Sequence, residues 1–195
     1  GLKPGVDYYD NDITPDKHTR LPESERYSVL QMAGHFSINP GNMRNCKLFL
    51  GDGNALSLET IKLGQEFRFN FLKDLVTLSA CNTAVAGSVF GSGAEVQSFA
   101  TLAQKKGAKS VLATLWSVSD DSTGLLMQLF YDFRERYGLT KAEALRKAQL
   151  ALLQGDWQET EGIVRGVNIT GETTTSRRYS HPYHWAPFVL MGNGL

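Results

Sequence analysis

Two apolar runs in this chain each lead to a residue with reactive chemistry. Residues 74–79 are followed by small and polar residues that include Cys81, and residues 27–32 are followed by a short segment that ends at His35. An apolar run bounded by turn signals is typical of a strand buried on both faces, as in a parallel sheet. Open α/β sheets bind their ligands beyond the carboxyl ends of the strands. The sequence therefore predicts a histidine and a cysteine at one sheet edge, as a cysteine nucleophile and its base require.

The remaining segments alternate between predicted strands and helices. The predicted elements are strands at 27–32, 46–50 and 55–58, a helical turn at 58–63, a strand at 74–79, a helix at 94–106, a strand at 110–115, helices at 121–137 and 140–154, and a strand at 185–191. The helix at 140–154 begins with a capping box formed by Thr140 and Glu143. This alternation predicts right-handed crossovers and an α/β fold in which helices sandwich a mostly parallel sheet.

Composition and charge exclude several classes of protein. The chain has 195 residues, 42% of them hydrophobic, which suits one globular domain with a substantial core. Its 20 basic and 20 acidic residues give no net field, so we expect neither nucleic acid nor a membrane as a partner. No apolar run approaches the ~18 residues that span a bilayer. Two cysteines do not make a disulfide framework, which favours a reducing, cytoplasmic setting.

Two segments differ in character from the rest of the predicted single domain, 1–195. Residues 1–26 are polar and rich in turn formers, and we expect them to form an extended N-terminal arm. Residues 155–180 are hydrophilic, with several glycines and three consecutive threonines, and predict a mobile loop. Because position 1 is not methionine, we expect the sequence to be a piece of a longer protein.

Cys81 has two interpretations when it is considered alone. Free cysteines are among the most buried residues of proteins, so a small core side chain is one of them. The other is a reactive thiol, because Asn82 and Thr83 begin a polar loop after the strand, and partly open, polar surroundings favour the thiolate. Cys46 precedes a short apolar strand without such a loop, and we expect it to be structural.

One of the four histidines stands apart from the others. His35 leaves its strand through two small residues, which let the backbone and the imidazole approach a substrate closely, and it is predicted to be a general base or ion-pair partner. The alternative for His35 is a capped loop histidine. His18 lies in the polar arm and should be solvated, whereas His181 and His184 are expected to pack under aromatic rings.

A glycine-rich segment at 87–93 precedes one of the predicted helices. It lacks the lysine and the spacing of a phosphate-binding loop, and we expect a flexible loop at the substrate edge, with Glu95 after it facing the cleft. No cluster of His, Cys, Asp and Glu has the spacing of a metal site, so no metal or other cofactor is expected.

Five segments occur in an order that carries a resemblance to a known family. They are LSACNTA at 78–84, GAKSV at 107–111, LWSVSDDST at 115–123, KAEALR at 141–146 and HPYHWA at 181–186. Together they resemble the CHAT peptidases, caspase-like domains that are often joined to tetratricopeptide repeats and are related to separase. The likeness runs from about Gly5 to Gly192. It implies a caspase-type α/β fold, cleavage of a protein or peptide substrate, and an upstream tetratricopeptide-repeat or regulatory region as a partner. Caspase-like sheets normally have an opening strand that the polar residues 1–26 do not evidently supply, so the resemblance also implies that an upstream segment completes the sheet.

The resemblance also implies which residues carry the chemistry. It makes His35 and Cys81 a catalytic dyad and assigns the oxyanion to backbone amides near Gly34 and Phe36 and at Cys81. Family members usually have glycine directly after the dyad histidine, and here Phe36 takes that place. A backbone amide is still present there, so the chemistry survives if the local backbone permits it.

The likeness to separase implies an acidic pocket for a basic residue before the scissile bond. By that likeness Asp120 is the pocket acid and Trp116 is either a pocket wall or a core residue. The alternative is that Asp120 or Asp121 only caps the helix that begins there. Both interpretations hold together if Asp121 caps the helix and Asp120 lies in the pocket.

Three functions are consistent with the sequence. The leading hypothesis is a cysteine endopeptidase that uses a His–Cys dyad and cleaves after a basic residue. The second is a catalytically silent pseudo-peptidase whose cleft binds a partner peptide or signals without cutting. The third is a non-proteolytic cysteine hydrolase at the same sheet edge. Both dyad residues are retained, which favours the first hypothesis over the second.

Overall fold

The computed structural model describes residues 28–37, 42, 44–49, 54–64, 74–82, 94–155 and 177–195, of which 32–36, 79–82 and 94–98 are described by their backbone. The strands are β1 Val29–Ser37, β2 Lys47–Phe49, β3 Ala55–Ser57, β4 Leu75–Asn82, β5 Ser110–Thr114 and β6 Phe188–Gly192, and the helices are α1 Leu58–Leu63, α2 Ala94–Lys105, α3 Asp120–Tyr137 and α4 Lys141–Gln154. The chain divides into a sheet unit, Leu2–Ser117 with Met191–Asn193, and a hairpin unit, Val118–Leu190 with Gly194–Leu195.

The six strands form one sheet in the order β3-β2-β1-β4-β5-β6. β1, β4 and β5 are parallel neighbours, whereas β2 and β3 are joined to them as an antiparallel hairpin beside β1. The four residues at the start of β4, residues 75–78, are all buried, as the apolar run predicts for a strand covered on both faces. The mixed α/β fold with a mostly parallel sheet flanked by helices is therefore confirmed.

The two central strands extend further than the sequence predicts. The apolar runs end at Met32 and Ser79, but the paired register between β1 and β4 continues without a break from Val29 and Leu75 to Phe36 and Asn82. An apolar run marks where side chains are buried, whereas a strand continues as long as backbone N–H and C=O groups find partners on a neighbouring strand. Small residues after the apolar run therefore do not end the strand.

The core of the sheet unit is formed by residues of the sheet, α1 and α2 together with Cys46 and Ala108. Phe99 on α2 is only 1% exposed, and burial of a side chain of this size contributes roughly 1.5–3 kcal/mol. Cys46 is also buried in this core, which confirms its prediction as a structural residue. The buried members are Cys46, Leu48, Leu58, Ile61, Val76, Leu78, Phe99, Ala100, Leu102, Ala103, Ala108, Val111 and Ala113.

The hairpin unit is built on α3 and α4, which are joined by a short turn. α3 ends at Tyr137 and is followed by its cap residue Gly138, whose φ of 64° is the left-handed conformation that favours glycine. α4 begins with the predicted capping box, in which the Thr140 hydroxyl accepts from the backbone N–H of Glu143 and the Glu143 carboxylate accepts from the Thr140 backbone. Hydrogen bonds from the Thr140 side chain and backbone hold the pKa of Glu143 below its ordinary value.

The last predicted strand begins later than expected. Residues 182–184 form a 3-10 turn, and β6 begins only at Phe188. Pro182 stands in the first turn, where its missing N–H costs nothing, and the imidazole of His181 accepts from the backbone N–H of Tyr183 at 3.2 Å. The predicted strand residues before Phe188 therefore follow a capped 3-10 turn, and only Phe188–Gly192 form the strand.

The predicted arm at 1–26 and most of the predicted loop at 155–180 lie outside the described residues. The described strands all fall between Val29 and Gly192, so an upstream strand that completes the sheet stays a prediction. Among the residues that the structure describes, no helix combines the length and the apolar character needed to cross a membrane.

Candidate functional site

The sheet brings the two predicted dyad residues to paired positions. His35 on β1 is the register partner of Cys81 on β4, and the two strands are parallel neighbours. Neighbouring strands are ~4.8 Å apart, so the Cα atoms of the pair are separated by about one strand spacing. Paired positions of neighbouring strands also share one face of a sheet. Their side chains lie outside the described atoms, so the catalytic pairing of imidazole and thiol stays a prediction.

Both residues lie close to the carboxyl ends of their strands. Cys81 directly precedes Asn82, the last residue of β4, and His35 lies shortly before Ser37, the last residue of β1. β5 is parallel to β4 and therefore ends at the same edge, at Thr114. This edge is where open α/β sheets bind their ligands.

The ladder around the pair is asymmetric. On one side of β4, pairing with β1 continues to Asn82, whereas on the other side pairing with β5 covers only residues 76–78. Among the described residues, positions 79–82 of β4 therefore have ladder partners on the β1 side alone. Phe36, in contrast, has a partner on each side, Asn82 on β4 and Leu48 on β2.

The pocket residues implied by the resemblance fall in separate parts of the chain. Trp116 is half-buried in the segment that follows β5, within the sheet unit. Asp120 is exposed and is the first residue of α3, within the hairpin unit. Glu95 is the second residue of α2, and its side chain lies outside the described atoms. The roles of these three residues stay predictions.

Asp121 does not cap α3, so that prediction is wrong. The N-cap is Ser119, whose backbone is extended at φ −64° and ψ 144°, and both aspartates lie inside the first turn. Asp121 instead forms an ion pair with Arg178, with Oδ2 and Nη2 at 3.5 Å, and both side chains are mostly exposed. Carboxylates in a first turn are still favourable, because they lie at the positive end of the helix dipole.

Of the two histidines predicted to pack under aromatic rings, His184 does so, whereas His181 is exposed and has no ring contact among the described residues. The imidazole of His184 makes edge contacts with Tyr179 and Tyr183, with ring centroids at 5.2 and 5.3 Å. Burial lowers the pKa of His184 first, and the charges of His181 and Arg178 lower it further. His184 is therefore neutral at pH 7.

Sequence reasoning missed the hydrogen bond that links this segment to α3. His184 Nδ1 lies 3.1 Å from the hydroxyl oxygen of Ser122, a residue that is completely buried. The two residues are separated by 62 positions, and a buried serine in the first turn of a helix carries no local signal of a distant partner. Only the acidic residues beside Ser122 attract notice in the sequence.

Comparison with known protein families supports the resemblance that the motifs carry. A family model for the CHAT domain matches residues 9–193, nearly the whole chain. No curated protein matches the chain. CHAT domains are caspase-like and related to peptidases, in agreement with the α/β fold and its mostly parallel sheet. The chain belongs to the CHAT domain family.

Proposed function

We propose that this protein is a cysteine endopeptidase that cleaves a protein substrate after a basic residue. The observation that carries the proposal is the register of β1 and β4, in which His35 and Cys81 are partners near the carboxyl ends of adjacent strands. A nucleophile and a base must lie within reach of each other and of a substrate, and two adjacent strand ends satisfy both conditions.

In the proposed reaction the thiolate of Cys81 attacks the scissile carbonyl carbon and forms a C–S bond. The carbonyl π electrons move to the oxygen and then return, which breaks the C–N bond and leaves a thioester. His35 gives a proton to the departing amine. A water molecule, deprotonated by His35, then attacks the thioester, and the released thiolate restores the enzyme.

Backbone amides are the proposed donors to the oxyanion. The Cys81 region of β4 has the stronger support, because ladder partners are found only on the β1 side at positions 79–82. Gly34 and Phe36 remain candidates, but Phe36 has strand partners on both sides, which favours engagement of its backbone within the sheet. One preorganised donor changes the rate of such a reaction by ~10²–10³.

A basic side chain is the proposed partner of Asp120. The chain leaves β5 at the sheet edge where the dyad residues lie, and Trp116 and then Asp120 follow within a few residues. Asp120 is exposed and forms no ion pair with a described residue, whereas its neighbour Asp121 is paired with Arg178. A carboxylate that follows an indole closely in the chain is suited to a guanidinium, which can form charge-assisted hydrogen bonds and stack on the ring. Glu95 is a further candidate for the same cleft.

The decisive experiment compares fluorogenic peptides that carry Arg, Lys or Asp before the reporter group. We expect the wild type to release the reporter after Arg and Lys, and the Cys81→Ala and His35→Ala variants to be inactive. Cys46→Ala is the matched control, because it removes the buried structural thiol and should leave turnover unchanged in the folded protein. Equal release by wild type and Cys81→Ala would refute an endopeptidase on these peptides.

One observation favours a second candidate, a pseudo-peptidase that binds a peptide without cutting it. Phe36 stands where the family usually has glycine, and it is paired on both sides within the sheet. A silent cleft would bind the Arg peptide equally well in wild type and Cys81→Ala and would release no reporter from either. Fluorescence anisotropy of an uncleaved labelled peptide separates this candidate from the first.

We also propose that the partners are a protein substrate and, in a longer chain, an upstream tetratricopeptide-repeat or regulatory region. The ground for this part of the proposal is the resemblance to CHAT peptidases, which are often joined to tetratricopeptide repeats. Activity of the 195-residue chain alone and of a longer natural chain would measure the influence of that region.

A further inference from the structure

The first turn of α3 is held by a chain of hydrogen bonds in place of a conventional cap. The N-cap residue Ser119 makes no side-chain bond to the helix backbone. Its hydroxyl lies 2.7 Å from the hydroxyl of Ser122, which is completely buried. Ser122 in turn lies 3.1 Å from His184 Nδ1. A side chain 62 positions away therefore completes the start of this helix.

The three contacts among Ser119, Ser122 and His184 can all be hydrogen bonds at once in only one assignment of donors and acceptors. The Ser122 hydroxyl donates its single proton to the backbone carbonyl of Ser119 at 3.1 Å. The Ser122 oxygen must therefore accept from both the Ser119 hydroxyl and His184 Nδ1. This requires the neutral imidazole to carry its proton on Nδ1, and His184 is held neutral because burial lowers its pKa.

Residues 178–184, which we call the strap, contact the first turn of α3 at two adjacent positions. Arg178 pairs with Asp121, and its guanidinium lies 5.2 Å from the centroid of the Tyr179 ring. Tyr179 is buried and meets the His184 ring at 5.2 Å, and His184 bonds Ser122. The strap thus holds the two residues that directly follow Asp120.

We infer that His184, acting through Ser122, is a positioning residue that fixes the carboxylate-bearing first turn of α3 and so sets a preference for arginine over lysine. The inference rests on the proposed function, in which Asp120 receives the basic side chain of the substrate. A guanidinium pairs with a carboxylate through two parallel hydrogen bonds and needs a fixed carboxylate plane. A lysine ammonium is a compact point charge that tolerates a displaced carboxylate. Loosening the turn should therefore penalise arginine selectively.

The test measures KM and kcat separately for matched Arg and Lys peptides. In His184→Phe the ring contacts with Tyr179 and Tyr183 remain possible but the Nδ1 donor is lost. We expect KM for the Arg peptide to rise about tenfold, because the displaced Asp120 carboxylate would lose one of its two hydrogen bonds to the substrate guanidinium. KM for the Lys peptide and kcat for both should stay nearly unchanged. His184→Asn, whose amide can donate from close to the Nδ1 position, should restore most of the preference.

Two further variants guard against a trivial loss of structure. Ser122→Ala removes one buried oxygen from the other end of the bond and should reproduce the effect of His184→Phe. His181→Asn is the matched control, because it changes the neighbouring strap histidine to a residue that caps a turn equally well. Thermal midpoints of all variants show that the compared proteins are folded. The ¹⁵N shifts of the His184 ring report the tautomer directly.

Each outcome decides between distinct claims. Loss of the Arg preference in His184→Phe and Ser122→Ala, with rescue by Asn and an Nδ1–H tautomer, supports the inference. An unchanged Arg-to-Lys ratio in the folded variants, or an Nε2–H tautomer in the wild type, overturns the inference and leaves the proposed function intact. Wild-type cleavage no faster than that of Cys81→Ala overturns the proposed function and the inference with it.

Discussion

At the scale of single residues, two adjacent aspartates in the first turn of α3 differ in their partners. Asp121 is paired with Arg178, whereas Asp120 is exposed and forms no ion pair with a described residue. An exposed ion pair such as Asp121–Arg178 contributes little to stability. Asp120 is therefore the residue whose charge is available to a ligand, and its removal should affect binding more than folding.

Replacement of Asp120 by alanine should lower kcat/KM for an Arg peptide at least tenfold while leaving the fold intact. Loss of one partner from a desolvated charge pair costs roughly 2–5 kcal/mol. Steady-state kinetics measure the change, and circular dichroism checks the fold. Asp121→Ala is the matched control and should change cleavage far less. Unchanged turnover after Arg, or a wild-type preference for cleavage after Asp, would contradict the assignment.

The lowered pKa of His184 predicts how stability depends on pH. Burial and the charges of His181 and Arg178 favour the neutral ring in the folded state. Its folded pKa lies below the unfolded value of about 6.5, so the unfolded state binds more protons near that pH. This contribution to stability is complete above the unfolded pKa and is lost as the pH falls through it towards the folded value.

Urea unfolding of the wild type and His184→Asn, measured from about pH 7.5 to about pH 5, tests this dependence. The wild type should lose more of its free energy of unfolding across the interval than the variant, because asparagine does not titrate. Parallel pH profiles for the two proteins would exclude His184 as a contributor.

At the scale of secondary-structure elements, the ends of strands and helices depend on backbone partners as well as on composition. β6 ends at Gly192, whose φ of 95° lies in the left-handed region that favours glycine. The next residue, Asn193, donates its backbone N–H to the carbonyl of Lys109 at 3.0 Å. Close approach of the two backbones is thus part of how this strand end is fixed.

Gly192→Ala should destabilise the protein by about 2 kcal/mol or more, since a left-handed non-glycine residue alone costs roughly 1–3 kcal/mol. A Cβ at this position would also lie 2.5 Å from the Lys109 carbonyl oxygen and would displace the Gln104 amide. Gly124→Ala is the control, and it should change the free energy of unfolding in the opposite direction. Gly124 is exposed within α3, and a Cβ there would have no neighbouring atom within 4 Å, so alanine should stabilise the helix by up to ~1 kcal/mol. Urea unfolding measures both, and equal effects would contradict the argument.

At the scale of the whole molecule, the sheet brings His35 and Cys81, which are far apart in the sequence, onto adjacent strands. β1 and β4 occupy the two central places of the six-stranded order, with β2 and β3 on one side and β5 and β6 on the other. His35 and Cys81 therefore lie on interior strands, each of which has a neighbouring strand on both sides. A pair held by the centre of a sheet is better fixed than one carried by two loops.

Amide hydrogen exchange should follow this order of strands. The buried residues of β4 and β5, at 75–78 and 111–113, should exchange slowest, because opening them requires loss of the core. The β2–β3 hairpin, short and partly exposed at the end of the sheet, should exchange faster. Mass spectrometry of exchanged peptides measures both, and faster exchange in the central strands would contradict the predicted hierarchy.

The type and order of the elements follow from local signals in the chain. Apolar runs predicted the strands, the Thr140–Glu143 box predicted the start of α4, and Gly107 and Gly138 stand after the ends of α2 and α3. These signals are local because propensity, capping and apolar periodicity act over a few residues. The five motifs likewise were enough to identify the family, because motifs and their order can be recognised from the sequence alone.

Contacts between residues that are distant in the sequence could be identified only from the tertiary structure. Strands β1 and β4 continue past their apolar runs because each supplies hydrogen-bonding partners to the other, which neither segment reveals by itself. The helix start at Ser119 depends on Ser122 and on His184, a partner far along the chain. The arrangement of paired backbones and buried hydrogen bonds is decided by the packing of elements against one another, because a local signal specifies what an element is and not which element lies beside it.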